Sequence, residues 1–499
     1  MAKGPAVITG GLVLAATGQV APSDLLLEDD LIAAIAQPGS VTSASVRRID
    51  AANRLIIPGL INAHTHGHGG LAKGSGDRWS LETLLNAGPW LNGGRTDDDR
   101  YLSTLLAAVE MVRKGCTACY DLAAMLPFPS VAGLHSVSRA YADVGMRAVI
   151  APMIADRSFY QAIPGLLEAF PPELRSVAEA LRTAPGETTL AAVREAASSW
   201  SHPTDRIRLG IAPTIPLHCS EPFMIGCRDL AAEYGLPLQT HLAESSVQRA
   251  AALARYGMAL TRNLDRLGVL GPRFSAAHAI WIDQDEIELI AARGGAIAHN
   301  PGSNLRLGNG IADMRPAITQ GIPVGVGTDG SSSADNQNMF EAMRLAAFVS
   351  RVFDRPPEDW IGAVEALRIA TEGSAAVLGM ADLIGRIAPG YKADLAFLDL
   401  DHVNLVPLNN AAQQLVNGED GASVRDVMIG GDFVLRDGEL TGIDWQRIVA
   451  RARNAAERLK QTNAETRAAT ERLAPLISQF CVGLGRSAHD LPRNVRVAR

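Results

Sequence analysis

The chain has 499 residues, of which 47% are hydrophobic and 20% are charged, which suits a globular enzyme with one large and one smaller domain. Its formal net charge of −7 and its pI of about 5.9 argue against a surface for nucleic acids. The sequence shows neither a signal-peptide pattern nor an apolar run long enough for a membrane span. We therefore expect a cytoplasmic protein with no nucleic-acid or membrane partner.

Both ends of the chain alternate short β runs with turns. The pattern covers residues 1–57 and returns in residues 386–443, so we predict one small β-sandwich built from the two ends. Residues 58–385 alternate short β runs with helical runs, which is typical of parallel strands with crossover helices. Residues 444–499 contain a charged, helix-periodic stretch, and we predict a C-terminal helical extension followed by a tail.

The first strand-like run of the middle region ends in two histidines. In "LIIPGLINAHTH", His64 and His66 are two residues apart, so in a strand their side chains point to the same face. Two imidazoles on one face can bind a single metal ion such as zinc or iron. The pair alone is weak evidence, because packing histidines also produce it.

Three later segments end apolar runs in residues of the same kind. They are "YGLPLQTH" ending at His241, "RFSAAH" ending at His278, and "GIPVGVGTD" ending at Asp329. The two later gaps each fit one to two βα units of a (β/α)8 barrel, at roughly 30 to 45 residues a unit. Strand ends that are distant in sequence meet at the C-terminal face of such a barrel. The predicted fold is therefore α/β, a TIM barrel with the small β-sandwich attached.

With these motifs in order, the chain resembles the amidohydrolase superfamily. Within it, the similarity is to the cyclic-amidine deaminase branch, which includes S-adenosylhomocysteine, guanine and 8-oxoguanine deaminases and chlorotriazine hydrolases. The resemblance spans roughly residues 5 to 440. Its motifs lie at residues 58–66, 240–245, 276–283, 298–314, 324–330 and 384–400.

The resemblance implies one divalent metal ion. Zinc is the preferred ion, and iron is the alternative. The ligands it implies are His64, His66, His241 and Asp329. Asp329 would also accept the proton of the metal-bound water. We predict a single ion because residues 206–220 contain no lysine, whereas two-metal members of the superfamily carry a carboxylated lysine on the fourth strand.

Two further residues receive catalytic roles from the resemblance. His278 would orient the attacking hydroxide or polarise the attacked centre. Glu244, in "HLAE", would carry a proton to the ring nitrogen and on to the leaving amine, which is general acid–base work. Taken alone, His278 could equally be a packed core histidine, and Glu244 could simply begin a helix.

The substrate pocket departs from the family pattern. Thr214 stands where many nucleoside deaminases have a substrate-contacting histidine, and this weakens a nucleoside assignment. We predict that the glycine-rich segment from His68 to Trp90 covers the metal site and sets substrate choice. The substrate-binding candidates are His68, Trp90, His218, His299 and Asn304, with Asn300 beside them.

The preferred function is hydrolytic removal of an amine from a nitrogen heterocycle by metal-hydroxide attack. One alternative is hydrolysis of an amide, urea or carbamate on the same site. The other is a non-catalytic binding protein on the same scaffold, which the complete ligand set argues against. We expect a small-molecule substrate and a homodimer or homotetramer.

Overall fold

The structure is a computed structural model that describes residues 4–43 and 45–486. The tail predicted at the C-terminus lies, from residue 487 onward, outside the described residues. Among the helices of the described part, none combines the length and the apolar character needed to cross a bilayer.

The strands fall into three groups along the chain. The first group is β1 (Ala6–Thr9), β2 (Leu12–Leu14), β3 (Val20–Pro22), β4 (Asp24–Glu28), β5 (Leu31–Ala36), β6 (Arg47–Asp50) and β7 (Arg54–Pro58). The second is β8 (Leu60–His66), β9 (Cys116–Ala124), β10 (Arg147–Ile154), β11 (Ile207–Leu209), β12 (Ala212–Pro213), β13 (Leu238–Leu242), β14 (Phe274–His278), β15 (Ala296–His299), β16 (Val324–Val326) and β17 (Asp329–Gly330). The third is β18 (Leu395–Asp399), β19 (Val424–Ile429), β20 (Asp432–Arg436) and β21 (Glu439–Leu440).

Most helices lie between the strands of the second group. As far as α8 they are α1 (Leu81–Asn92), α2 (Asp97–Arg113), α3 (Val131–Val144), α4 (Phe159–Ala162), α5 (Leu166–Ala169), α6 (Pro172–Ala180), α7 (Gly186–Ser198) and α8 (Glu221–Tyr234). The next are α9 (Ser246–Tyr256), α10 (Leu260–Arg266), α11 (Gln284–Ala292), α12 (Pro301–Arg306), α13 (Arg315–Thr319), α14 (Met339–Val349), α15 (Ala363–Arg368) and α16 (Ser374–Val377). The last are α17 (Ala411–Asn417), α18 (Trp445–Thr462) and α19 (Ala464–Gly485).

The second group of strands closes into a barrel. Parallel pairing runs through β11, β10, β9, β8 and β17 on one side, and through β13, β14, β15 and β16 on the other. A parallel bridge from Ile211 to Leu238 joins the two sides, and β16 and β17 are consecutive parts of one strand. Every residue of β9 is buried, as expected for a parallel strand covered on both faces. The predicted TIM barrel is confirmed.

The first and third groups form two facing sheets. One sheet has the order β5-β4-β1-β6, and the other has the order β21-β20-β19-β18-β7-β2-β3. In the second sheet, β7 pairs antiparallel with β18 and places Ile56 opposite Phe397, so both chain ends share one sheet. Ile8 and Leu25 from the first sheet pack with these two residues in a common core. The predicted β-sandwich is therefore present, while the domain limits at residues 57, 385 and 443 stay predictions.

The C-terminal helices pack on the catalytic face of the barrel. Helix α19 contacts α1 and α9, the helices that follow β8 and β13. Asn86 of α1 donates from Nδ2 to the carbonyl of Thr470 at 2.9 Å. Arg458 of α18 forms an ion pair with Asp99, whose carboxylate also accepts from the backbone N–H of Thr96 in the capping box of α2.

Candidate metal centre and active site

The predicted metal ligands meet at the C-terminal ends of β8, β13 and β17. Nε2 of His66 lies 3.2 Å from Nε2 of His241 and 3.1 Å from Oδ1 of Asp329. Nε2 of His64 lies 3.7 Å from the same carboxylate oxygen. The register explains the closeness, because Asp329 of β17 pairs with Thr65 between the two histidines of β8.

Backbone carbonyls orient two of these rings. Nδ1 of His66 lies 2.8 Å from the carbonyl oxygen of Leu122, and Nδ1 of His241 bonds to the carbonyl oxygen of Thr214. Since a carbonyl only accepts, each ring donates from Nδ1 and keeps its lone pair on Nε2. The lone pairs of His66 and His241 that could bind a metal ion are therefore on the Nε2 atoms, which lie close to each other.

Gln239 orients the third ring in the same way. Its Nε2 donates to the carbonyl of Ala63 at 3.2 Å and to Oγ of Ser275 at 3.0 Å. This leaves Oε1 to accept from Nδ1 of His64 at 2.6 Å. Nε2 of His64 is buried and has no hydrogen-bond partner among the described residues.

These donors fit a divalent metal ion. Unpaired buried polar atoms are costly and usually mark a missing partner, and Nε2 of His64 is such an atom. Three imidazoles with one carboxylate are a usual donor set for zinc or ferrous iron. Burial by itself would raise the pKa of Asp329, but its interactions with the neighbouring His64 and His66 hold it well below its ordinary value, so this ligand is ionised.

His278 lies on the neighbouring strand end, at β14. Its Nδ1 lies 2.8 Å from Oδ1 of Asn304, while its Nε2 is buried without a hydrogen-bond partner among the described residues. That nitrogen lies 3.7 Å from Oε2 of Glu244 and 3.9 Å from Oδ2 of Asp329. Burial lowers the pKa of His278 to about 4, so the ring is neutral near pH 7.

His278 is close enough to compete as a metal ligand. Its donor atom lies within 4.8 Å of those of His64 and His241, and within 4.8 Å of those of Glu244 and Asp329. The geometry alone therefore allows more than one ligand set around this point.

Glu244 is a buried carboxyl beside the cluster. Its Oε1 accepts from Nδ2 of Asn309 at 2.9 Å. Burial, followed by the charges of Asp329 and Glu82, raises the pKa of Glu244 well above its ordinary value. A carboxyl that keeps its proton near neutral pH is suited to act as a general acid.

A cavity of about 120 Å³ opens directly above the cluster. Its polar lining comes from His66, His68, Thr214, His241, Glu244, Asp329, Ser332 and Ser333, and much of its apolar lining comes from Leu81, Leu84, Leu85 and Leu91. A second cavity of about 500 Å³ shares Leu85, Gly88, Asn92, Met153 and Thr214 with the first. The two together provide a small reaction chamber that adjoins a larger, mostly apolar space.

Two of the predicted substrate-binding residues line these cavities. His68 lies in the small chamber, where its Nδ1 accepts from the backbone N–H of Ala124 at 3.2 Å. His218 lies in the larger cavity, and burial lowers its pKa to about 4. Both rings are thus placed where a bound molecule would meet them.

Part of the segment from His68 to Trp90 lines the chamber, and two glycines in and just before it allow close packing on the barrel. A Cβ on Gly70 would lie 2.1 Å from the carbonyl oxygen of Ser103. A Cβ on Gly67, the residue just before the segment, would lie 2.6 Å from Oδ2 of Asp121. Any larger residue at these two positions would therefore clash with the barrel.

The other predicted substrate-binding residues are placed differently. Trp90 does not line either cavity; its ring packs on Trp79 at 6.2 Å and under Arg467 at 4.9 Å. Asn304 forms a hydrogen bond with His278 and does not line either cavity. His299 is buried with both ring nitrogens unpaired within the described part of the chain, and neither it nor Asn300 lines the two cavities.

Three strand ends carry strained backbone at the site. Ala243, His278 and Asp329 have φ values of 48°, 70° and 60°, in the left-handed region that residues with a Cβ rarely adopt. Such strain persists where the surroundings determine the conformation, and it is often found at functional sites. Here it occurs just after β13, at the last residue of β14 and at the first residue of β17.

Residues 55–434 match the model of the amidohydrolase family. A 5-methylthioadenosine/S-adenosylhomocysteine deaminase of Desulforamulus reducens is 30% identical over 460 residues, a match that covers 91% of this chain and 98% of that protein. The family resemblance inferred from the motifs is therefore confirmed.

Two solved structures are similar along the same length. An adenosine deaminase from Xanthomonas campestris with bound zinc has a TM-score of 0.80 at 27% identity, covering 91% of this chain and 98% of that one. An atrazine chlorohydrolase from Arthrobacter aurescens complexed with zinc has a TM-score of 0.79 at 27% identity, covering 90% and 99%. With the His and Asp donors described above, these zinc-containing relatives support a divalent metal ion in this barrel. The chain belongs to the amidohydrolase family.

Proposed function

We propose that the protein is a mononuclear metal-dependent deaminase that replaces an amine on a nitrogen heterocycle with oxygen from water. The observation that carries the proposal is the position of Glu244, a buried acid 3.7 Å from His278 and beside the metal donors. An acid in this place can protonate a ring nitrogen and the leaving amine. The named relatives that are deaminases support this choice over other hydrolyses.

We assign the metal to His64, His66, His241 and Asp329, and we propose zinc, with iron as the alternative. A metal ion held by these donors would act as a Lewis acid that makes water nucleophilic at neutral pH. The hydrogen bonds of the three Nδ1 atoms keep the rings in the tautomer that binding requires. A single ion is proposed because the fourth barrel strand offers no lysine as a bridge.

The proton transfers are assigned to Asp329 and Glu244. Asp329 is ionised and accepts the proton that water loses as its oxygen bonds to the ring carbon. Glu244 donates from its carboxyl to the ring nitrogen, and a proton then passes to the amine, which leaves as ammonia when its C–N bond breaks. His278, neutral and held by Asn304, orients the attacking oxygen from Nε2.

The cavities indicate the shape of the substrate. A chamber of about 120 Å³ admits the reacting edge of a planar ring, and the adjoining apolar space holds the rest of the molecule. His68 and Thr214 face the ring, and His218 lies further out. We therefore propose a heterocyclic amine with an apolar substituent, and adenine-type compounds are the first to test.

The test is ammonia release by the zinc-loaded enzyme over a panel of aminopurines, aminopyrimidines and aminotriazines, with open-chain amides and ureas as a second arm. Turnover confined to the heterocycles supports the proposal. Turnover confined to amides or ureas would establish the alternative hydrolysis, and no turnover with fully loaded metal would favour a binding protein. The homodimer or homotetramer and the cytoplasmic location stay predictions.

A further inference from the structure

A separate cavity of about 310 Å³ lies between the C-terminal helices and the segment that follows the first barrel strand. One wall comes from α18 and α19, through Ala456, Leu459, Lys460, Asn463 and Arg467. The opposite wall comes from Leu71, Ala72, Gly74, Ser75, Trp90, Leu91 and Arg95. The first wall lies beyond residues 55–434, the part that matches the family model, and the second lies within it.

The lining of this cavity carries only positive charge. Arg95, Lys460 and Arg467 face it from three elements, and its lining residues include neither Asp nor Glu. Three cations around one cavity repel one another unless an anion lies between them. The arrangement therefore favours a negatively charged occupant.

Arg95 is the buried member of this set, with 8% of its surface exposed. Its Nη1 donates to the carbonyl of His68 at 2.6 Å and its Nη2 to the carbonyl of Leu91 at 2.8 Å, so both acceptors are neutral. Its Nε is buried and has no partner among the described residues. The charge of Asp99 acts on Arg95, but the same carboxylate is paired with Arg458. A buried cation with an unused donor and a shared counter-charge favours a further anion nearby.

The other two cations remain available to a ligand. The ammonium of Lys460 forms no hydrogen bond or ion pair within the described residues. Arg467 uses Nε for Glu471 at 2.7 Å and lies over the ring of Trp90, which leaves its terminal nitrogens free to donate. Asn463 and Ser75 add neutral polar groups to the same lining.

We propose that this cavity binds a phosphate-type oxyanion, either free or as the end group of a small phosphate monoester. A dianion with several acceptor oxygens matches three converging cations better than a single carboxylate does. The volume exceeds that of one phosphate, so the rest of a small ester also fits. The cavity shares Ala72 and Leu91 with the lining of the substrate chamber, and Arg95 connects the two by donating to the carbonyl of His68.

The test is isothermal titration calorimetry of the zinc-loaded enzyme with inorganic phosphate at constant ionic strength, and then with glycerol 3-phosphate. We expect Lys460→Gln and Arg467→Gln each to weaken phosphate binding about tenfold or more, since each removes a charge-assisted bond. The matched control is Arg453→Gln, an exposed cation of α18 outside the cavity, which should change the affinity less than about twofold. Tighter binding of glycerol 3-phosphate than of phosphate would identify the ester as the ligand, and equal binding would identify the free anion.

Two results would overturn the proposal. One is no saturable phosphate binding by the folded, zinc-loaded protein. The other is binding that Lys460→Gln and Arg467→Gln leave unchanged, since phosphate on the metal would behave in that way. Both substitutions are on exposed helix positions, so loss of folding is not expected to obscure the outcome; Arg95→Lys, at a buried position, serves only as a supplementary variant.

Discussion

The amide oxygen of Gln239 lies 2.6 Å from Nδ1 of His64, on the side of the ring that faces away from the metal donors. The amide nitrogen of Gln239 is fixed by Ala63 and Ser275, so the orientation of the glutamine is determined independently of the histidine. One buried amide thus sets both the tautomer and the direction of a proposed ligand.

Replacing Gln239 with Leu should weaken the metal site without removing a ligand. Loss of such an outer partner usually costs about 10- to 100-fold in metal affinity, and a competition titration against a metal buffer would measure it. Gln413→Leu is the matched control, because Gln413 is an exposed glutamine of α17. Unchanged affinity in Gln239→Leu would show that the ring is held by its packing alone.

The metal content should distinguish the ligands from His278. We expect about one zinc ion per chain in the purified protein, much less in His66→Asn, and a full equivalent in His278→Asn, which should nevertheless lose most of its turnover. Elemental analysis checks each value. A metal-free His278→Asn together with a metal-loaded His66→Asn would replace His66 by His278 in the ligand set, and two ions per chain would contradict a mononuclear site.

Glu244→Gln should keep the metal and reduce turnover about a hundredfold or more, the usual effect of losing a general acid–base group. The amide retains the size of the side chain and its acceptor for Asn309 but cannot deliver the proton. Steady-state rates on the best heterocycle would measure the loss, with the exposed Glu173→Gln as a matched control. A near-normal rate in Glu244→Gln would assign the proton transfer to another group.

His218 should make the protein less stable at mildly acidic pH. Burial lowers its pKa from 6.5 to about 4, so between these values the unfolded chain binds a proton that the folded chain does not. Stability from this group is complete above pH 6.5 and falls as the pH decreases, by about 3 kcal/mol once the pH is below 4. Denaturant titrations at pH 7 and pH 5 should show a smaller difference in the free energy of unfolding for His218→Gln than for the wild type.

Trp90→Ala should affect stability rather than catalysis. The ring packs on Trp79 and Arg467 and lies outside the reaction chamber, so its loss should cost about 2 kcal/mol, less than for a fully buried tryptophan. A lower melting temperature with an unchanged kcat/KM is the expected outcome. The opposite pattern would restore the substrate-contact role that the sequence indicated.

The sequence predicts the strand ends well because the period of a strand is short. His64 and His66, and the runs ending at His241 and Asp329, needed only the alternation of faces and the convergence of parallel strands. The same alternation places Gln239, two positions before His241 in a buried run, on the same face of β13 as that histidine. Asn309 could not be found in this way, because a loop brings it to Glu244.

The misplaced residues have a common cause. Trp90 follows a run that does line the chamber, but its position on α1 turns the ring toward α19, and no local pattern reveals that partner. Asn304 is predicted to bind substrate, and its contact with His278 depends on how α12 follows β15. Side-chain direction on helices and loops is set by tertiary packing, which a single sequence does not display.

The pairing of β7 with β18 has a consequence for how the protein is made on the ribosome. Strand β8 continues directly from β7 and is synthesised early, but its neighbour β17 and β18, the antiparallel partner of β7, leave the ribosome only after most of the chain has been translated. Domains form as their segments emerge, and pairings between distant segments form slowly. The donor set that we propose for the metal ion can therefore be complete only after Asp329 has been synthesised, long after His64 and His66.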